Sequence, residues 1–263
     1  MVENVNIHAS AIIEDGAEIG EGTSVGPFCF VGSKVRVGKN VELKSHVVIK
    51  GDTFLGDENI VFPFAVLGEI PQDKKFNGES TSLKIGNRNQ IREHVTINVG
   101  TKGGGGITKV GNDGLFMAGC HIAHDAQVGD NVILVNNASL AGHCIIEDNV
   151  IVGGLSGVHQ FVRIGEGAII GAVTMVTNDV IPYGLVQAPR GELDGLNLVG
   201  LKRKGVPRAD IMALRAAFQT LSQGDGTFQD RAQKLTDDSE SKYVEKIVSF
   251  VLGHSDRSFL TPR

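Results

Sequence analysis

Residues 116–146 read FMAGCHIAHDAQVGDNVILVNNASLAGHCII, and every sixth residue is large and apolar: Phe116, Ile122, Val128, Leu134, Leu140 and Ile146. The period extends in both directions. Downstream it continues through Val152, Val158, Ile164, Ile170 and Val176. Upstream it includes Val110. With one change of phase it then covers Ile7 to Leu67 and Ile85 to Ile97. A period of six is neither the 3.6 of a helix nor the simple alternation of a strand. A short strand followed by a sharp corner accounts for it, and three corners close a triangular coil of about 18 residues. Stacked coils form a parallel β-helix filled by ladders of Ile, Val and Leu. Gly often follows the apolar position, as at Gly20, Gly26, Gly32 and Gly38. Its expected reason is a corner that demands positive φ.

Composition agrees with this thin prism. Gly accounts for 35 of 263 residues, about twice the usual ~7%, and there are only 2 Tyr and no Trp. Collagen's regular glycine triplets are absent, and 41% hydrophobic residues excludes wholesale disorder. A net charge of −5 argues against bulk-charge binding to nucleic acid. The three cysteines, Cys29, Cys120 and Cys144, all fall two residues before an apolar rung. They read as small core residues rather than as a nucleophile, a disulfide framework or a zinc site. No secretory signal or membrane span is expected, which points to the cytoplasm.

The frame breaks at about 70–83 and about 99–107. The first break contains Asp73 and Lys75, and the second holds Gly103–Gly106. Each is either a functional loop or a tolerated insertion. The hexads stop near Pro182, so residues 1–189 form the β-helix and 190–263 a small helical domain. One helix opens at Pro207–Asp210 and buries Ile211, Leu214, Phe218 and Leu221. Gly224–Gly226 is expected to end it. A second presents Tyr243, Ile247, Phe250 and Val251 on one face.

Rungs Ile122, Leu140 and Val158 are 18 apart and stack in one column. They bring His124, His143 and His159 toward one edge, with His121 and Asp125 flanking His124. A general base oriented by Asp125, a three-histidine zinc site and a simple ligand site all fit that spacing, as do ordinary surface histidines. Leu201-Lys202-Arg203-Lys204-Gly205 is a basic run suited to phosphate, or simply a solvated face.

Several runs together resemble one family: His121-Ile122-Ala123-His124-Asp125, Leu140-Ala141-Gly142-His143, Val158-His159-Gln160-Phe161 and Gly200-Leu201-Lys202-Arg203-Lys204-Gly205. It is the acyl-carrier-protein-dependent UDP-N-acetylglucosamine O-acyltransferases, hexapeptide-repeat enzymes that open lipid A synthesis. The resemblance covers essentially the whole chain. It implies a left-handed parallel β-helix and a homotrimer with active sites between subunits. It implies transfer of an acyl group, typically 3-hydroxyacyl, from acyl carrier protein to the 3-position of UDP-N-acetylglucosamine, without metal or further cofactor. His124 corresponds to the general base, Asp125 to its polarising partner and Gly142 to the oxyanion amide. Asp73, Lys75, His121, His143, His159 and Gln160 correspond to substrate-positioning residues. Asn197, Arg203 and Lys204 correspond to positions meeting nucleotide or phosphopantetheine. Ala172 replaces a family Gly at the acyl ruler, Asn98 replaces His, and Val199 replaces Glu near the nucleotide. A 3-amino acceptor is an alternative within the fold, and a γ-type carbonic anhydrase is one outside the class. The latter's His-x4-His pair contrasts with His121-x2-His124 here.

Overall fold

The computed structural model describes residues 4–187, 192–223, 225–236, 241–255 and 257–261. From Asn6 to Val176 the chain is a left-handed parallel β-helix of short strands in three sheets, one per face of a triangular prism. The first face carries rungs Ile7, Val25 and Leu43, the second Ile13, Val31 and Ile49, and the third Ile19, Val37 and Leu55. Rung partners are 18 residues apart, as the hexads require. They are 30 apart across the first break, Leu67 with Ile97, and 25 across the second, Ile97 with Ile122. The second insertion is therefore not a multiple of six, which is why the frame shifts by one residue there.

The rungs point inward and are almost wholly buried from Val25 to Val176. Each contributes ~1.5–3 kcal/mol by leaving water, and no strand of two residues would persist without that stacking. Cys29, Cys120 and Cys144 are buried and free, each thiol facing a backbone carbonyl of the next coil. Burial pushes the thiols of Cys120 and Cys144 up to about 11 and about 12.

The glycine expectation needs correction. Positive φ falls three residues after the rung, where Asn40, Asp125, Asn131, His143 and Phe161 all lie between +52° and +66°. Gly directly after the rung serves close approach instead at Gly20, Gly26 and Gly38, whereas Gly68 alone of this position keeps the expected positive φ, +78°, among the described residues. A Cβ on Gly20 would sit 2.4 Å from the carbonyl oxygen of Gly38 in the next coil. The two roles lie at different positions of one corner.

The expected division between residues 189 and 190 lies outside the described residues. Gly184–Gln187 pairs antiparallel with Glu192–Leu196, so a hairpin precedes the helices. Helix α1 spans Leu198–Arg203, α2 Arg208–Ser222, α3 Phe228–Lys234 and α4 Lys242–Leu252. Pro207 precedes α2, as the sequence suggested, and α2 ends at Ser222, just before the proposed Gly224–Gly226 stop. Its buried face is Ile211, Leu214, Ala217 and Leu221, with Phe218 half-buried. Helix α3, not foreseen, has a capping box between Thr227 and Asp230.

Arg163 fastens the helices to the prism. Its Nε donates to the fully buried Asp179 Oδ2 at 2.7 Å, and its guanidinium lies 4.5 Å from the Phe250 ring centre. Ser255 also donates to Asp179, and Lys246 of α4 pairs with Glu166.

Candidate active site

Both insertions leave the prism at the same corner, between the second and third faces, on successive coils. The first follows Val66–Glu69 and the second Thr96–Asn98. On the next three coils that corner carries Asp125, His143 and Phe161, all with positive φ. A shared backbone conformation at an 18-residue spacing stacks their side chains. The His143 ring lies 4.5 Å from Phe161, nearly parallel at 6°, and meets His124 edge-on at 5.1 Å.

His124 and Asp125 form a buried pair, with Nδ1 of His124 2.8 Å from Oδ2 of Asp125. The Asp125 side chain is fully enclosed. Its carboxylate also accepts from Thr101 N at 2.8 Å and from Thr101 Oγ1 at 2.6 Å. Its own amide donates to Thr108 Oγ1 at 2.8 Å. A carboxylate at Nδ1 fixes the proton there and leaves Nε2 as the basic nitrogen. The imidazole lies over Gly142, where an added Cβ would come within 2.5 Å of His124 Cε1 and 2.8 Å of Nε2. Among the described residues, the Gly142 N–H has no hydrogen-bond partner. A proton acceptor and an open amide donor therefore sit side by side.

The cleft beside them is about 310 Å³ and is lined by His121, Asn98, Ser139, Gly142 and Gln160 among others. His121 Nδ1 lies 2.7 Å from Thr96 Oγ1. Burial, then the neighbouring His124, pushes the His121 pKa down. Burial also lowers that of His143, partly offset by Asp125. Both rings are held toward the neutral form. Asn98 donates to the carbonyl of Ile70 at 3.0 Å, anchoring the base of the first loop. Asp73 and Lys75 line a larger adjoining cleft of about 930 Å³, together with Thr101, His143 and Phe161.

Other expected residues lie elsewhere. His159 is exposed and faces Arg257, whose Nη2 is 3.1 Å from its Nδ1. Asn197, Arg203 and Lys204 line a separate cleft of about 210 Å³ against Ile133 and Ile151 of the first face. Within one chain they do not join His124. Ala172 is exposed at the far edge of the second face, three coils on.

Donor atoms of His124, Asp125 and His143 lie within 4.8 Å of one another. A tetrahedral zinc shell needs donors about 3.3 Å apart with lone pairs free. Here His124 Nδ1 is engaged by Asp125, whose carboxylate is already satisfied by Thr101. The set fits a hydrogen-bonded acid–base pair with a third ring beside it, rather than a ligand shell.

A relative from Paracoccus denitrificans, named acyl-[acyl-carrier-protein]–UDP-N-acetylglucosamine O-acyltransferase, is 66% identical over 77% of each chain. One of the same name from Aliarcobacter butzleri is 47% identical over 94% of this chain and 95% of its own. The chain belongs to the UDP-N-acetylglucosamine O-acyltransferase family. A family model described as UDP-N-acetylglucosamine O-acyltransferase domain 2 matches residues 179–260, and a hexapeptide-transferase model matches 16–51. The solved structure of LpxA from Acinetobacter baumannii superposes with a TM-score of 0.94 at 37% identity, covering 97% of this chain and 99% of its own. The enzyme from Campylobacter jejuni superposes at 0.92 with 39% identity, covering 98% of this chain and 100% of its own. The resemblance drawn from the histidine motifs is thus borne out.

Sequence reasoning missed Thr101 and Arg257. Thr101 borders a glycine run and has no motif of its own. Arg257 reaches His159 only because the tail folds back past α4.

Proposed function

We propose that this acyltransferase moves an acyl group from the thioester of acyl carrier protein to the 3-hydroxyl of UDP-N-acetylglucosamine, opening lipid A synthesis. The observation that carries this reading is the buried His124–Asp125 pair with its imidazole lying over the open amide of Gly142. The sugar oxygen attacks the thioester carbon while His124 Nε2 takes its proton. Asp125 stabilises the imidazolium that forms. The Gly142 N–H donates to the oxyanion of the tetrahedral intermediate. Collapse breaks the carbon–sulfur bond, and the imidazolium returns the proton to the leaving thiolate. Atoms and charge balance without metal, cofactor or covalent enzyme intermediate.

His121, His143 and Gln160 position the sugar beside the base, and Asp73 and Lys75 hold the outer part of the substrates. Asn197, Arg203 and Lys204 meet the nucleotide or phosphopantetheine of a neighbouring subunit's site. This supports a homotrimer, because within one chain these residues occupy a different face from His124. The acyl chain runs across the second face toward Ala172, past Gly157, where no atom lies within 4 Å of an added Cβ. Ala172→Met is expected to shift preference to shorter chains, and an unchanged chain-length profile would sink that assignment. The cytoplasm is the proposed compartment; among the described residues no helix is long and apolar enough to cross a membrane.

The deciding assay offers a series of acyl carrier protein thioesters with UDP-N-acetylglucosamine and detects product by mass spectrometry. A 3-O-acylated sugar nucleotide plus free carrier thiol is expected. No turnover with any chain length would overturn the reading. Sedimentation of the purified protein as a monomer would overturn the trimer.

A further inference from the structure

The second insertion does more than fill a gap between strands. It leaves at Asn98, folds through the short 3-10 turn Lys102–Gly104 and returns at Ile107. Along this path it wraps the Asp125 carboxylate. Thr101 is buried and supplies two donors to it, N to Oδ1 at 2.8 Å and Oγ1 to Oδ2 at 2.6 Å. A Cβ on Gly104 would lie 2.1 Å from Asp125 Cγ, and one on Gly100 would lie 2.8 Å from Oδ1. The loop therefore approaches the carboxylate more closely than any side-chain-bearing residue could. Thr101 O accepts from the amides of Gly104 and Gly106, which closes the loop on itself. The loop also reaches the first insertion, where Glu79 accepts from Lys102 N at 3.3 Å and from Asn77 N at 2.8 Å.

We propose that Thr101 is a positioning residue for the acyl transfer and that the glycine loop is a carboxylate cradle. It holds Asp125 in the one orientation that keeps the His124 Nε2 edge over Gly142, and it links the substrate-facing first loop to the acid–base pair. The proposal rests on His124 acting as the base. Its physical content is geometric. Oδ2 receives two bonds, from Thr101 Oγ1 and His124 Nδ1, and these fix the carboxylate rotation. Without Oγ1 the carboxylate retains one tether on the loop side, at Oδ1, and can swing. The hydrogen bond from His124 Nδ1 to Oδ2 then loses its fixed geometry, and the imidazole loses its orientation with it. The charged or titratable groups facing this carboxylate are His124 and His143. His124 in turn interacts electrostatically with His121, and His143 with Asp73.

The test uses the full-length protein with Thr101→Val, Thr101→Ser and Gly104→Ala. Two readouts are taken: steady-state kinetics, and pH-dependent hydrogen–deuterium exchange at His124 Cε1 followed by mass spectrometry. The exchange needs no substrate. Thr101→Val is expected to lower kcat ~10–100-fold with both KM values within twofold. Its His124 exchange profile should depart from that of wild type, and Thr101→Ser should restore both. Gly104→Ala should match the Val variant, because the added methyl meets the carboxylate itself. If Thr101→Val keeps wild-type kcat, or loses activity with an unchanged exchange profile and no rescue by Ser, the cradle is wrong. If wild type shows no acyl transfer at all, the functional reading fails. The His124 exchange profile then decides the cradle by itself.

Discussion

Two corners of the prism carry stacked histidines, and they differ in what surrounds the rings. Between the first and second faces, Phe28, His46, Phe64 and His94 stack in sequence with ring centres 5.0, 4.9 and 5.2 Å apart. Between the second and third faces, His143 stacks on Phe161 and meets His124. The backbone device is the same, a positive φ three residues after the rung. The surroundings differ. The first ladder is exposed, and among the described residues neither of its imidazoles bonds a carboxylate. The second is flanked by two loops: Phe161 stays exposed and His143 half-buried, but His124 is buried and tied to a fully enclosed Asp125. Periodicity thus places histidines in columns, while enclosure by an insertion gives one of them a directed lone pair.

The largest effect should separate the corners outright. His124→Ala is expected to lower kcat by ~10²–10⁴-fold, the usual range for a lost general base, with unchanged far-ultraviolet circular dichroism. His46→Ala should leave turnover within twofold. Equal losses at both corners would erase the distinction. Next comes Gly142→Ala, whose methyl would meet the His124 ring at 2.5 Å. At least a tenfold loss of kcat is expected, with KM little changed, and wild-type kinetics would show that the close approach of His124 to Gly142 does not set the position of the base.

A smaller effect concerns pH. Burial depresses the pKa values of His121 and His143 in the folded chain. Below the unfolded value of ~6.5 the unfolded state takes up protons that the folded state refuses. Their contribution to stability is therefore full above that pH and declines as pH falls toward the folded values. Urea midpoints should fall between pH 7.5 and pH 5, and a His121→Gln, His143→Gln variant should flatten that slope. A slope as steep as wild type would show that other groups set it. Smallest of all, Phe64→Ala in the exposed ladder should cost about 0.5–1.5 kcal/mol for each ring pair lost. Urea unfolding measures this, and transfer activity should be retained.

Much of this was readable before any coordinates. The hexads fixed the coil length, the rung identities, the thiol slots and the place of both insertions, because a β-helix is quasi-one-dimensional and each residue's neighbours lie 18 away. The same arithmetic brought His124 and His143 together. It erred on glycine, since sequence cannot separate a need for positive φ from a need for room between coils. It did not foresee that the His159 ring meets Arg257, a partner 98 residues away that no local pattern announces. Helix α3 escaped because its seven residues are too few for periodicity, although Thr227 and Asp230 signal its start.

The sequence by itself determined the prism, the family and the dyad of adjacent residues His124 and Asp125, all of which rest on spacing along the chain. Tertiary structure alone decided that Thr101 grips Asp125, that His159 turns to Arg257, and that Arg203 and Lys204 occupy another face. Those relations depend on how two loops and a helical tail fold back onto the prism. An insertion obeys no repeat, so its contacts are set by packing rather than by period.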